Sequence, residues 1–321
     1  MKISSSTVIT IFLGLLVCAA VAVVGIVGLR FFSRVPENRA PKQEEITLSS
    51  TARTNPALIC YREVKRIRVG MEKLYGIACG ADERFYVTGD EQLLIIEKEG
   101  EKVSWIQLEE PAMCIASGND GSLYLGMAEH VELYDSEGKR KAIWASLGNE
   151  AIITSIAVAD LDVYVADAGN KLVMRYDRSG KLLELIGGEP DFLIPSPYFD
   201  VAIGRDHTIW VANTGRFSLQ NYSPDGKLLK SWGSSSESVE GFCGCCNPTH
   251  IALLSDGSFV TSEKGTPRVK RYDTAGSFEC VVAGAELFRP GTVGLDLAVD
   301  EQDRILVLDP VRRVVRIFEK K

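Results

Sequence analysis

Residues 155–181 read SIAVADLDVYVADAGNKLVMRYDRSGK. An apolar run built on I-A-V is followed by a polar break, a second apolar run and a polar loop. A third run with tyrosine near its end and a D-x-x-G-K turn complete the stretch. The runs are short, rich in β-branched and aromatic residues, and punctuated by turn formers, so each reads as a β-strand. Glycine and aspartate at the breaks accept the positive φ of tight turns, which strand-forming residues resist.

The unit recurs. Before it stand YGIACGADERFYVTGDEQLLIIEKEG and MCIASGNDGSLYLGMAEHVELYDSEGK; after it come FDVAIGRDHTIWVANTGRFSLQNYSPDGKLLKSWG, THIALLSDGSFVTSEKGTPRVKRYDTAGSFECVVAG and LDLAVDEQDRILVLDPVRRVVRIFEKK. The anchoring alanines are Ala78, Ala116, Ala157, Ala202, Ala252 and Ala298, at intervals of 38 to 50 residues. That spacing holds about four short strands per unit, and six such units imply an all-β, six-bladed β-propeller, which closes on itself and leaves only short edges. After VVRIF (Val314–Phe318) the sixth unit ends one strand short, while LICYREVKRIRV (Leu58–Val69) is a strand without a unit. The expectation is that this N-terminal strand closes the last blade, giving one domain over residues 58–321.

The repeats resemble NHL-type propeller repeats, whose units carry a pattern close to IAV…G.LYVAD..N..V..YD..GK; the third unit is the nearest match, and the first and sixth are poorer. The resemblance covers residues 58–321 and implies a fold used for binding platforms, scaffolds and lyases alike. NHL-like lyases hold zinc with several histidines around the axis. This chain has three, of which His130 and His207 fall at other registers and only His250 at the channel mouth. Six-bladed lactonase-type enzymes use carboxylates and asparagine on a metal, a set that Asp200, Asp296, Asn213 and Asn247 imitate loosely.

Outside the repeats, residues 8–29 are almost wholly apolar and no charge occurs from Ile3 to Leu29. As a helix these residues would span about 33 Å, enough to cross a bilayer. The run is longer than a cleaved signal's apolar core and lacks a small-x-small site. The reading is therefore a short tail (1–7), an uncleaved transmembrane signal-anchor (8–29) and a flexible tether (30–57). Basic residues after the span argue for a cytoplasmic domain. The very short leader and long following domain argue for the extracytoplasmic, periplasmic side, which is the expectation adopted. Beyond Ile59 remain 30 basic and 40 acidic residues, a formal charge of −10. Such a surface repels phosphate backbones, which argues against nucleic acid as a partner.

Two positions before each alanine, the six units carry Gly76, Cys114, Ser155, Asp200, His250 and Asp296. Asp, His and Asp in three consecutive blades at the channel mouth suit a divalent cation such as zinc or calcium, an acid–base pair or a small ligand. The plainer expectation is that each hydrogen-bonds a neighbouring blade's backbone. The loops between second and third strands add a polar rim, with Asp167 and Asn170, Asn213 and Arg216, Glu263 and Lys264, Asp309 and Arg312. Asn213 and Arg216 join the candidate ligand-binding set.

GFCGCCNPTH (Gly241–His250) places three cysteines in four positions. A haem attachment would need His after Cys246, where Asn247 stands. A zinc or iron–sulfur site wants four ligands, commonly in two pairs. The second pair is missing, which disfavours an iron–sulfur cluster and leaves His250 as a fourth ligand for Cys243, Cys245 and Cys246. The alternatives are a Cys243–Cys246 or Cys245–Cys246 disulfide bracing a flexible insertion, redox exchange, and plain packing. Cys60, Cys79 and Cys114 read as free strand cysteines. Among these the clasp ranks first.

The function expected is a membrane-anchored binding or scaffold module for a protein partner or ligand, without catalysis. The rivals are a metal-dependent hydrolase or lyase at the mouth, and an accessory subunit of a membrane redox complex using the cysteine loop.

Overall fold

The computed structural model describes residues 54–97, 103–188 and 190–321. The expected tail and anchor, and the tether as far as residue 53, lie outside the described residues. Within the described residues no helix is long and apolar enough to cross a membrane.

Pro56–Leu58 forms a 3-10 turn, and strand β1 (Tyr61–Arg68) follows. Blade 1 is β2 (Gly76–Cys79), β3 (Phe85–Gly89), β4 (Gln92–Ile96) and β5 (Val103–Gln107); blade 2 is β6 (Cys114–Ser117), β7 (Leu123–Gly126), β8 (Val131–Tyr134) and β9 (Arg140–Ile143). Blade 3 is β10 (Ile153–Val158), β11 (Asp162–Asp167), β12 (Leu172–Asp177) and β13 (Leu182–Gly187); blade 4 is β14 (Val201–Ile203), β15 (Ile209–Asn213), β16 (Ser218–Tyr222) and β17 (Leu228–Trp232). Blade 5 is β18 (His250–Leu253), β19 (Phe259–Glu263), β20 (Arg268–Tyr272) and β21 (Phe278–Ala283). Blade 6 takes β22 (Leu297–Val299), β23 (Ile305–Asp309) and β24 (Val314–Lys320) from the end of the chain and β1 from its beginning. The described residues thus form six antiparallel four-stranded sheets, a six-bladed propeller.

Each repeated alanine lies in an innermost strand, where the sheets crowd around the axis and a small side chain is needed. The apolar side chains sort into six buried clusters, each at the junction of two blades. The D-x-x-G-K turn has a packing reason as well as a backbone one. Gly180 has φ +87°, and a Cβ there would lie 2.7 Å from the Trp144 ring of the preceding blade. Gly276, at φ +86°, is covered in the same way by Trp232. The turn glycine of one blade is therefore the floor on which its predecessor's outer aromatic rests.

Closure of blade 6 is extensive. β1 pairs with β24 from Tyr61↔Lys320 to Arg68↔Val314, with one bulge between Glu63 and Lys65. The buried Arg316 guanidinium donates to Asp309 Oδ2 at 3.1 Å, Glu63 Oε2 at 2.9 Å and the Leu287 carbonyl at 2.8 Å, so it joins β23, β24 and β1. Cys60, expected to be a free strand cysteine, instead precedes β1 and is disulfide-bonded to Cys280 in β21, across 220 residues of sequence. The pairing arises because the closing strand lies beside the outermost strand of blade 5, as the Ile59↔Val281 bridge shows.

Candidate functional site

Two positions before the repeated alanines, at or beside the start of the innermost strands, three side chains reach the backbone of the next blade. Ser155 Oγ accepts the Val201 amide at 3.2 Å, Asp200 Oδ2 accepts the Ile251 amide at 2.6 Å, and Asp296 Oδ2 accepts the Ile77 amide at 2.8 Å. Where blade 1 carries Gly76, a Cβ would come within 3.0 Å of the Ile115 amide nitrogen, so the backbones themselves close that junction. At three of the six junctions this register thus supplies an inter-blade hydrogen bond that satisfies a backbone amide.

His250 breaks the pattern. Its Nδ1 lies 3.2 Å from Asp296 Oδ1 and 3.8 Å from Asp200 Oδ2, so Asp296 is its hydrogen-bond partner and Asp200 a nearby charge. Burial disfavours the imidazolium, but the Asp296 and Asp200 carboxylates more than offset it and raise the His250 pKa. Burial also pushes Asp200 up to about 6, against the pull of His250. Tyr198 stands edge-on to the imidazole at 5.8 Å between ring centroids. Nε2 has no protein hydrogen bond among the described residues.

Above this dyad opens a cavity of about 490 Å³. All six blades contribute to its wall, among them Leu74, Met113, Ile152, Tyr198 and Val293, and His250 is the imidazole it contains. Met113, Ile152, Val293 and Val311 remain 39–47% exposed, so the mouth offers apolar surface to solvent. Asp200 and Asp296 do not line it. Among the described residues, no group of three or more His, Cys, Asp or Glu side chains is placed to hold a metal ion. The residues present do not fit a divalent cation at the Asp–His–Asp register: both oxygens of each carboxylate already accept backbone amides, Asp200 from Val201 and Ile251 and Asp296 from Leu297 and Ile77, and His250 Nδ1 faces Asp296.

The rim residues tie down the loops that lead into the blades. Asp167 Oδ1 accepts the Ile152 amide at 2.9 Å and Asn213 Oδ1 the Leu193 amide at 3.0 Å. Asp90 does the same for Glu72 and Lys73. Asn213 is fully buried, and Arg216 donates to the Asp191 and Pro190 carbonyls. These two lie at the rim and are not among the residues lining the cavity.

The stretch before the cysteines, expected to be flexible, is pinned from below. The side chain of Lys270, wholly buried, donates to the carbonyls of Gly241 at 2.7 Å and Val239 at 3.1 Å, and Tyr272 Oη donates to that of Glu240 at 3.0 Å. Burial draws the Lys270 ammonium down to about 8, with Glu263 opposing. Asn247, also buried, donates to the Cys243 carbonyl at 2.6 Å and accepts the Lys264 amide at 2.9 Å. Cys243 turns toward Arg268, its Sγ 3.5 Å from Nη2. Cys245 is exposed and Cys246 buried, their sulfurs 2.7 Å apart and unbonded. Lys270, Tyr198 and the apolar wall were not singled out from the sequence. The wall residues lie mostly three to five positions before the repeated alanines, a register that carries no constant residue type.

No family model matches the chain, and no curated protein does. Among solved structures it is similar to a streptogramin B lyase (11% identity, TM-score 0.59, covering 83% of this chain and 100% of that one). It is also similar to virginiamycin B lyase from Staphylococcus aureus (15%, TM-score 0.53, covering 80% and 88%). A third is a protein of unknown function from Bacteroides thetaiotaomicron VPI-5482 (14%, TM-score 0.60, covering 81% and 72%). At these identities the likeness is one of fold: the chain is a six-bladed β-propeller.

Proposed function

We propose that this propeller is a non-catalytic binding module of the NHL-like kind, which takes up an apolar ligand or partner segment at its axial mouth. The observation that carries the reading is the wall itself. Met113, Ile152, Val293 and Val311 come from four different turns and loops, yet face one cavity of about 490 Å³. Concave, largely apolar surface with a few polar groups, His250 and Thr154 among them, is what a small-ligand or side-chain pocket requires. We further infer an extracytoplasmic, membrane-anchored setting. The Cys60–Cys280 disulfide supports an oxidising compartment, and the apolar residues 8–29 support the anchor.

A photo-crosslinking side chain placed at Met113 of the full chain, in its native membrane, tests the module. Adducts are expected from Met113 and not from Leu161, which is 78% exposed in the turn between β10 and β11 at the other face. Val293→Lys should abolish them. Equal labelling from both positions would remove the mouth from the argument.

A second reading is acid–base chemistry at His250. It is favoured by the Asp296–His250 contact, which holds Nδ1 and leaves Nε2 beside the cavity. Metal-dependent hydrolysis lacks a ligand set among the described residues.

A further inference from the structure

We propose that Cys245 and Cys246 form a reversible thiol–disulfide exchange site, closing to a vicinal disulfide at the rim of the mouth when they meet a disulfide-bearing oxidant. Neither the binding reading nor the acid–base reading uses this pair.

The geometry is preset. The two sulfurs stand 2.7 Å apart, against about 2.04 Å in a disulfide. The remaining approach is a fraction of an ångström. Cys246 has φ +64° and Gly244 φ +79°, a tight turn that brings adjacent side chains to one side. The turn is not free to relax, because the buried Asn247 side chain bonds Cys243 within the loop and Lys264 in the turn between β19 and β20. Lys270 fixes the residues just before it.

The cysteines divide the work by exposure. Cys245 is exposed and meets the oxidant; Cys246 is buried beneath it. Burial and the Cys245 contact raise the Cys246 thiol, while Lys264 and Ser196 act in the opposite sense. Cys243 is directed away, toward the Glu263–Arg268 pair, and is not the partner. The Cys245 thiolate attacks one sulfur of R–S–S–R, forming a Cys245 mixed disulfide and releasing one RS⁻. The Cys246 thiolate then attacks the Cys245 sulfur, forming the ring S–S bond and releasing the second RS⁻. The two cysteines lose two electrons and two protons; the oxidant gains both as two R–SH.

The pair also adjoins the mouth. Lys264 Nζ bonds Ser196 Oγ at 2.7 Å and lies 4.9 Å from the ring centre of Tyr198, which lines the cavity.

The test uses the full-length protein in detergent, equilibrated with reduced and oxidised glutathione at a series of ratios near neutral pH. Free thiols are then trapped by alkylation, and the peptide carrying Cys243, Cys245 and Cys246 is weighed. Alkylatable thiols in that peptide should fall from three to one as oxidised glutathione increases, with loss of two hydrogens, and should return on reduction. Cys243→Ser should keep the same midpoint ratio. Cys246→Ser should instead accumulate a single glutathione adduct on Cys245. The proposal is overturned if Cys243→Ser abolishes the bridge, or if three thiols persist at every ratio. Far-ultraviolet circular dichroism of each variant separates a lost bridge from a lost fold, and Cys243→Ser decides the matter if Cys246→Ser does not fold.

Discussion

Asp296 serves two neighbours at once: Oδ1 lies 3.2 Å from His250 Nδ1, and Oδ2 accepts the Ile77 amide of blade 1 at 2.8 Å. One carboxylate thus holds an imidazole at the floor of the mouth and fastens the blade on its other side.

The charge on that imidazole follows from the arrangement. His250 is expected to titrate above the ordinary histidine value, and Asp296→Asn to bring it down, because burial then acts with less opposition. The three histidine Cε1–H resonances, followed by two-dimensional NMR across pH 4–9, read this directly. A folded-state pKa above the unfolded one contributes stability that is complete below the unfolded value of about 6.5 and lost as pH rises through the folded value.

Asp200 supplies a second pH dependence. Its carboxyl, pushed up to about 6 mainly by burial, binds its proton more tightly folded than unfolded. Its contribution is therefore present below the unfolded value of 3.8 and disappears as pH rises through about 6. Asp200→Asn should remove this term while keeping an acceptor for the Ile251 amide. Urea midpoints of the variant should gain on wild type as pH crosses that window. Asp200→Ala orphans the amide and should cost about 1–3 kcal/mol at any pH.

Breaking Cys60–Cys280 should cost about 2–5 kcal/mol, since it bridges 220 residues and constrains a long stretch of unfolded chain. The expected readout is a lower melting temperature for Cys60→Ser/Cys280→Ser. Amide exchange in β1 should accelerate more than in β11. A uniform acceleration would assign the effect to the whole ring instead.

Trp144→Ala should cost about 3–5 kcal/mol, because the ring fills the junction of blades 2 and 3 against Tyr124, Tyr176 and Gly180. Gly180→Val should destabilise by two routes, a β-branched residue at φ +87° and a Cβ driven into that ring. Chemical denaturation of both variants and their combination checks the coupling. The double variant should be more stable than the sum of the single losses implies, since removing the ring makes room for valine.

The architecture was readable because a propeller repeats its demands. Six innermost strands need a small residue at one register, and six alanines mark it; the missing strand of blade 6 and the spare strand at Leu58–Val69 told how the ring closes. Side-chain partnerships between distant segments were not readable. Cys60 finds Cys280 only because β1 lies next to blade 5, a neighbour relation between blades that no local pattern encodes. Of the Asp200, His250 and Asp296 register only His250 lines the cavity, since whether the carboxylate oxygens faced a solute or a backbone amide depended on how closely adjacent blades approach. The insertion before Cys243 looked loose from its serines and glycines, because the Lys270 that secures it stands 29 residues beyond Gly241.

The antiparallel match of β1 with β24 has a mechanical meaning. Tyr61 and Lys320 sit together at the end of the pair remote from the mouth, so tension applied between the two ends of the domain would load the hydrogen bonds one after another, as in opening a zipper. Cys60 stands just ahead of the first tooth and is bolted to blade 5 rather than to its zipper partner. Force drawn through the N-terminal side therefore passes into a neighbouring blade before it reaches the seam, and the ring stays shut under a pull that would peel an unlatched strand away.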